Sequence, residues 1–182
     1  MKRKFLFNCY QSLRGKRLQA FEVDYLRHAI TVGCQQTILQ IGALGWENQF
    51  IDCSLYQKFF LLDRYAEGDE QITKIQARAF NLPLQTNSID LVILPHLLEF
   101  DAKRFQTMRE IERILKPEGD LIILNFNPWS LWLRHQYFKD KQSANSWHGH
   151  FISRSRLLDW LKLLNFDIKN TAEFNNEGYQ LS

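Results

Sequence analysis

The stretch TILQIGALGWENQF, residues 37–50, starts apolar, bends at Gly42 and Gly45, and continues as an amphipathic segment. A strand that leaves through small residues into a helix has two explanations. Tight strand-to-helix packing needs small side chains, or the backbone closes around a polar ligand. The spacing is not a dinucleotide fingerprint, because G-x-G-x-x-G would need further glycines in register. A P-loop is also ruled out, because no lysine follows the second glycine.

Working outward, strand-like and helix-like segments alternate. FEVDYLRHAI (21–30) carries Phe21, Val23, Leu26, Ala29 and Ile30 at near-helical spacing. TILQI (37–41) is a strand, and WENQFIDCSLY (46–56) is a short helix with Trp46, Phe50, Cys53 and Leu55 facing inward. KFFLLD (58–63), ITKIQARAF (72–80) and SIDLVILPHL (88–97) are further strands. The continuous apolar centre of the last suits a strand covered on both faces. DAKRFQTMREIERILKPEGD (101–120) is the clearest helix: Asp101 caps it, Phe105, Met108, Ile111, Ile114 and Leu115 line one face, and Pro117-Glu118-Gly119 stops it. LIILNF (121–126) is a strand, ISRSRLLDWLKLLNF (152–166) a helix and DIKNTAEF (167–174) a sixth strand. This order predicts an α/β fold, an open three-layer arrangement around a mostly parallel sheet in one domain spanning residues 1–182. Ligands in such sheets bind beyond the carboxyl ends of the strands, where strand order reverses.

The chain has 182 residues, 45% of them hydrophobic, enough for a sizeable core. Its 23 basic and 20 acidic residues give a net charge of +3, which does not announce nucleic acid. Lys2, Arg3, Lys4, Arg14, Lys16 and Arg17 read as a solvated helix face and terminus. FLF, at residues 5–7, is too short for a signal-peptide core, and no run approaches a membrane span, so the expected location is cytoplasmic. Cys9, Cys34 and Cys53 are odd in number and lack C-x-x-C spacing, arguing against a disulfide framework and a zinc site. His148 and His150 in WHGH stand two apart, with no Cys or carboxylate nearby in sequence, so no metal site is expected.

Three places carry polar chemistry. Asp63 ends the second strand 18 residues beyond Gly45, where a carboxylate in nucleotide-binding α/β folds accepts from ribose hydroxyls. His96 stands in otherwise apolar LPHLLEF, fit either for a hydrogen-bonded strand end or for placing or deprotonating a substrate, and Glu99 beside it reads as a group that caps or orients, or as a surface acid. NPWSLWLRHQYF (127–138) is aromatic; core packing is the expectation for Trp129, Leu131 and Trp132, with a substrate cover as the alternative.

ILQIGALG, LPLQTNSIDLVILPHLLEF and REIERILKPEGDLIILNFNPWSLW occur in the order and spacing of motifs that resemble class I S-adenosylmethionine-dependent methyltransferases, most closely the small bacterial type-11 group. The resemblance covers about residues 37–172, and Leu82 to Leu133 is its specific part. It implies a Rossmann-like methyltransferase sheet with S-adenosylmethionine as cofactor. Gly42 and Gly45 would pass beneath the methionine part and Asp63 would hold the ribose. The segment around Arg78, Ala79 and Phe80 would border the adenine, and Leu94, Pro95 and His96 would lie beside the sulfonium, with His96 the candidate catalytic base.

The chain departs from that pattern at Gln40, where the family usually has an acid, and at Arg78, where an Asp commonly accepts from adenine. A guanidinium cannot accept. The segment after Asp63 is also short for a full helix. Methyl transfer to an acceptor is the first reading, a small molecule being favoured and protein and RNA left open, with no membrane. The alternative is a methyltransferase fold serving as a binding or scaffold protein; an NAD-dependent enzyme is weaker still. The family's last strand is antiparallel and inserts beside the fifth. NNEGYQLS (175–182) looks too short for both a turn and a buried strand, so either a C-terminally truncated chain or a sheet without that strand is expected.

Overall fold

The computed structural model describes residues 4–52, 55–56, 58–63, 72–135, 150–174 and 179–181. The chain forms two compact units, Leu26–Asn125 and Met1–Tyr25 with Phe126–Ser182.

The first unit is built on five strands: β1 (Ile38–Ile41), β2 (Phe59–Asp63), β3 (Thr73–Gln76), β4 (Ile89–Pro95) and β5 (Leu115–Leu124). They lie in the order β3-β2-β1-β4-β5 and every neighbouring pair is parallel. The chain runs outward from β1 through β2 to β3, then returns to the other side of β1 as β4. Strand order therefore reverses between β1 and β4. The sheet centre is apolar apart from Gln40 on β1: Ile38, Leu39, Leu61, Val92, Ile93 and Leu94 are fully buried. Such near-continuous runs are what a sheet covered on both faces requires.

α3 (Arg104–Ile114) buries Met108, Ile111 and Ile114, but Phe105 is 37% exposed and stands off the expected face. Asp101 does not cap the first helical residue; Lys103 stands at the cap, and Asp101 takes the Lys103 N–H at 2.9 Å. The helix ends at Ile114, earlier than Pro117, because Leu115 already turns extended and enters β5. Between the pairs Ile89↔Leu115 and Leu91↔Asp120, the four residues 116–119 face the single residue Asp90. Gly119 lies inside this bulge, where an added Cβ would stand 3.0 Å from the Lys116 carbonyl and 3.2 Å from that of Asp90. Among the described residues, the expected helix over 46–56 is reduced to one 3-10 turn, Glu47–Gln49. Trp46 and Phe50 are buried edge to face at 5.7 Å, whereas Leu55 is 57% exposed and Cys53 lies outside the described residues.

The second unit holds α1 (Lys4–Gln11), most of α2 (Leu13–Ala29), a short helical segment at 131–135, α4 (Arg154–Leu163), β6 (Ala172–Phe174) and β7 (Tyr179–Leu181). Arg14, Lys16 and Arg17 are exposed on α2, as a solvated face requires. Tyr10 donates its hydroxyl to buried Glu22 at 2.5 Å. Trp129 and Leu131 are not core residues; they are 78% and 80% exposed. The sixth strand expected in the main sheet pairs instead with β7, antiparallel, from Ala172↔Leu181 to Phe174↔Tyr179. Residues 179–181 thus form a strand despite the short tail, since a three-residue ribbon needs no place in a buried sheet. Among the described residues β5 has only β4 beside it.

Candidate functional site

The parallel registers set the site. Ile41 pairs with Leu62 and Gln40 with Ile93, so the chain leaves β1 at Gly42 level with Asp63 on β2 and with Pro95 on β4. This is the carboxyl edge beside the point where strand order reverses. Gly42 and Gly45 have φ of 99° and 84°, a region that favours glycine. An added Cβ on Gly45 would meet nothing within 4 Å. Packing therefore does not demand that glycine. Its backbone conformation does, and it leaves open space above an exposed turn.

The amides of this loop point at carboxylates. Ala43 N–H donates to Asp63 Oδ2 at 3.0 Å, so Asp63 turns toward the glycine loop. Leu44 N–H donates to Glu47 Oε1 at 2.5 Å and Gly45 N–H to Glu47 Oε2 at 3.0 Å. Gln40 Nε2 donates to the Gly42 carbonyl at 2.9 Å and to Glu47 Oε1 at 2.8 Å. Glu47 is 1% exposed and has no cationic partner among the described residues. Its charge is held by peptide and amide N–H groups alone. Gln40 is likewise buried, and its Oε1 is an acceptor with no donor. A carboxylate at position 40 would face that of Glu47; the amide complements it. The buried carboxyl of this loop is thus at position 47, not at position 40. Glu47 was missed in sequence because its role rests on folding back onto its own loop, although an acid two residues past Gly45 was a readable signal.

At the end of β4, Leu94 and Pro95 are buried, and His96 is buried with φ of 49°. Left-handed backbone at a non-glycine residue is strained and clusters at functional sites. His96 N–H donates to the Leu124 carbonyl at 2.9 Å, which ties this turn to the end of β5. His96 Nδ1 lies 3.5 Å from Glu99 Oε1, with both side chains essentially inaccessible. Oriented to satisfy its neighbours, the Asn125 amide donates to Glu99 Oε2 at 3.1 Å and to the Leu124 carbonyl at 3.0 Å. Glu99 is therefore neither a surface acid nor a helix cap, but the buried carboxylate beside His96. Sequence reasoning did not find Asn125 at all.

Ala79 and Phe80 lie in the turn closed by the Asn81 N–H to Arg78 carbonyl bond of 2.9 Å, between β3 and β4. Lys103 Nζ sits 4.2 Å from the Phe80 ring centroid and the Arg78 guanidinium 5.8 Å from it. The segment leading into β4 is fixed by Arg113, which donates to the carbonyls of Leu84 at 2.9 Å and Leu82 at 3.2 Å and to Glu110 Oε2 at 2.9 Å. Glu110 also accepts the Leu82 N–H at 2.8 Å. Hydrogen bonding from Arg113 is the main reason the Glu110 carboxyl is held below its ordinary 4.5; burial opposes the shift, and the Leu82 N–H and the Arg113 charge add to it. At Asp90 burial pushes the carboxyl up, but Lys116 at 2.7 Å and the Thr37 N–H together outweigh it, so it too lies below its ordinary value. Among the described residues no cluster suited to a metal ion occurs, and neither buried Cys9 nor exposed Cys34 is in a disulfide. His148 lies outside the described residues. No described helix is long and apolar enough to cross a membrane.

Residues 30–123 match the family model described as a methyltransferase domain. The chain is 28% identical over 138 residues to the uncharacterized protein YafS of Escherichia coli (strain K12), covering 76% of this chain and 55% of that protein. It is 39% identical over 67 residues to the ubiquinone/menaquinone biosynthesis C-methyltransferase UbiE of Hahella chejuensis, covering 37% of this chain and 26% of that one. The chain thus spans about half or less of the length of these relatives. Among solved structures it resembles an S-adenosylmethionine-dependent methyltransferase of Thermotoga maritima, with a TM-score of 0.67 and 18% identity, covering 97% of this chain and 92% of that one.

Proposed function

We propose, from the premise that the chain belongs to the class I S-adenosylmethionine-dependent methyltransferase family, that it binds this cofactor at the β1–β2 edge and transfers its methyl group to an acceptor. The observation that carries the reading is the Ala43–Asp63 bond, which brings the second-strand carboxylate to the glycine loop. Two features fit the cofactor: the open space above Gly45, and the buried Gln40 Oε1, which a donor entering the loop would satisfy. Asp63 would accept from the ribose, Ala79 and Phe80 would border the adenine, and Leu94 and Pro95 would flank the reacting end. When bound, the cofactor supplies an electrophilic methyl carbon on a good leaving group. The protein's main task is then alignment of the acceptor, an effect worth roughly 7–11 kcal/mol in favourable cases. His96, whose Nδ1 lies 3.5 Å from Glu99 Oε1, is the group that would orient the acceptor or take its proton; His96→Ala should lower turnover far more than cofactor affinity. A small-molecule acceptor and a cytoplasmic location belong to the same reading.

A second reading, a cofactor-fold binding protein without catalysis, is favoured by one observation: Glu47 already occupies the Leu44 and Gly45 amides. Titration with S-adenosylmethionine and S-adenosylhomocysteine, with mass spectrometry of any co-purified nucleoside, tests the first reading. Saturable binding of either ligand is expected, and absence of binding to both would overturn it. Binding without methyl transfer to any acceptor class would favour the second reading.

A further inference from the structure

The second unit contains a cleft of about 350 Å³ lined by Pro128, Trp129, Arg134, Phe151, Ser153 and Arg156. Arg134 and Arg156 are both exposed, and neither guanidinium has a carboxylate partner among the described residues. Their neighbour Arg154 differs: it reaches Thr171 Oγ1 at 2.9 Å and Glu173 Oε1 at 3.7 Å on the β6 side. Two guanidinium groups on the lining of one cleft make it positive, and an oxyanion between them would accept charge-assisted hydrogen bonds from both. No acidic side chain in the first turn of α4 competes for them. The same cleft is also lined by two aromatic side chains. Trp129 is 78% exposed, and Phe151 is half-buried on the same lining. An exposed indole on the same lining as two guanidinium groups suits a flat apolar body bearing a negative head.

We propose that this cleft binds a small molecule with an oxyanion head, carboxylate or phosphate, on a flat apolar body. Arg134 and Arg156 take the head, and Trp129 and Phe151 flank the body. The proposal goes beyond methyl transfer and does not depend on cofactor binding.

Calorimetric titration of the full chain with benzoate and phenyl phosphate tests it, with inorganic phosphate and benzyl alcohol as head and body alone. At least one of the two complete probes should bind about tenfold more tightly than either fragment. Which of them binds more tightly identifies the head group. Arg134→Gln and Arg156→Gln should each weaken that probe by about tenfold or more, as expected for a charge-assisted bond. Arg134→Lys should recover only part, because an ammonium lacks the planar fork. Trp129→Ala should weaken the complete probe and leave inorganic phosphate unchanged. All four changes are at exposed positions, so unchanged melting temperatures will accompany them. Failure of both complete probes to bind at low-millimolar concentration would overturn the proposal, as would variants that bind like the wild type.

Discussion

Two loops of the sheet unit are each fastened by a carboxylate, in opposite ways. The glycine loop after β1 closes on Glu47, buried and neutralised only by N–H groups. The segment before β4 closes on the Glu110–Arg113 pair, whose side chains are 23% and 33% exposed. A buried charge held by amides takes a partner from several donors when removed. A partly wet ion pair is replaced by water at small cost. The difference teaches that the glycine loop is rigid by its own chemistry, whereas the β4 entry is held by an adjustable clasp.

The largest effect should follow Glu47→Ala, which strands the buried Leu44 amide and removes one partner each from the Gly45 N–H and from Gln40 Nε2, which keeps its bond to the Gly42 carbonyl. A loss of about 3 kcal/mol in folding stability is expected, since each unsatisfied buried group costs about 1–3 kcal/mol. Urea denaturation with an unchanged slope would measure it; a loss below about 1 kcal/mol would break the contrast between the loops. The exchange Gln40→Glu with Glu47→Gln keeps one carboxylate and one amide in contact. It should recover much of that loss, while Gln40→Glu alone should destabilise by pressing two buried carboxylates together.

Next in size is Asp63→Ala. Calorimetry with S-adenosylhomocysteine should show weakening by about 1.5–3 kcal/mol, the range for hydrogen bonds to a charged group. An unchanged Kd would remove Asp63 from the site and leave it only as the acceptor of Ala43.

The Glu110 clasp should be worth only about 1 kcal/mol at neutral pH. Its signature is in acid. The folded-state carboxyl lies below its ordinary 4.5, so its contribution is complete above that value and is lost as pH falls through the folded value. Stability of Glu110→Gln should therefore trail the wild type above about pH 5 and converge with it at lower pH. Parallel curves would show that the bonds of Arg113 to Leu82 and Leu84, not its pairing with Glu110, secure this segment.

The smallest effect belongs to the second unit. Arg154 and Glu173 are 56% and 65% exposed, and Arg154→Ala should change stability by less than about 0.5 kcal/mol. A larger loss would mean that the Thr171 bond, not the ion pair, anchors the β6–β7 ribbon to α4.

The parallel sheet was legible because β2, β4 and the second half of β5 carry apolar runs, and SIDLVILPHL contains β4 whole. The helix over 46–56 was misread because a hydrophobic period cannot register that Glu47 bonds back to its own loop. The arginine of RILKPEG was legible as part of a motif, but its purpose was not. Arg113 acts on carbonyls about 30 residues earlier in the chain, at Leu82 and Leu84. The exposure of Trp129 and Leu131 escaped for a related reason: apolar composition favours burial without specifying it.

The sequence by itself determined the alternation of elements, the turn at Gly42 and Gly45, the acid at the end of β2 and the family. These rest on local periodicity, backbone permissiveness and spacing along the chain. Tertiary structure alone decided that Asp63 bonds to Ala43, that Glu47 is buried against the glycine-loop amides and Gln40, and that Glu99 stands beside His96 with both side chains buried. It also decided that β6 and β7 pair with each other instead of extending the main sheet. Hydrogen-bond partners and burial depend on which strands become neighbours, and residues far apart in a sequence carry no local signal of that choice.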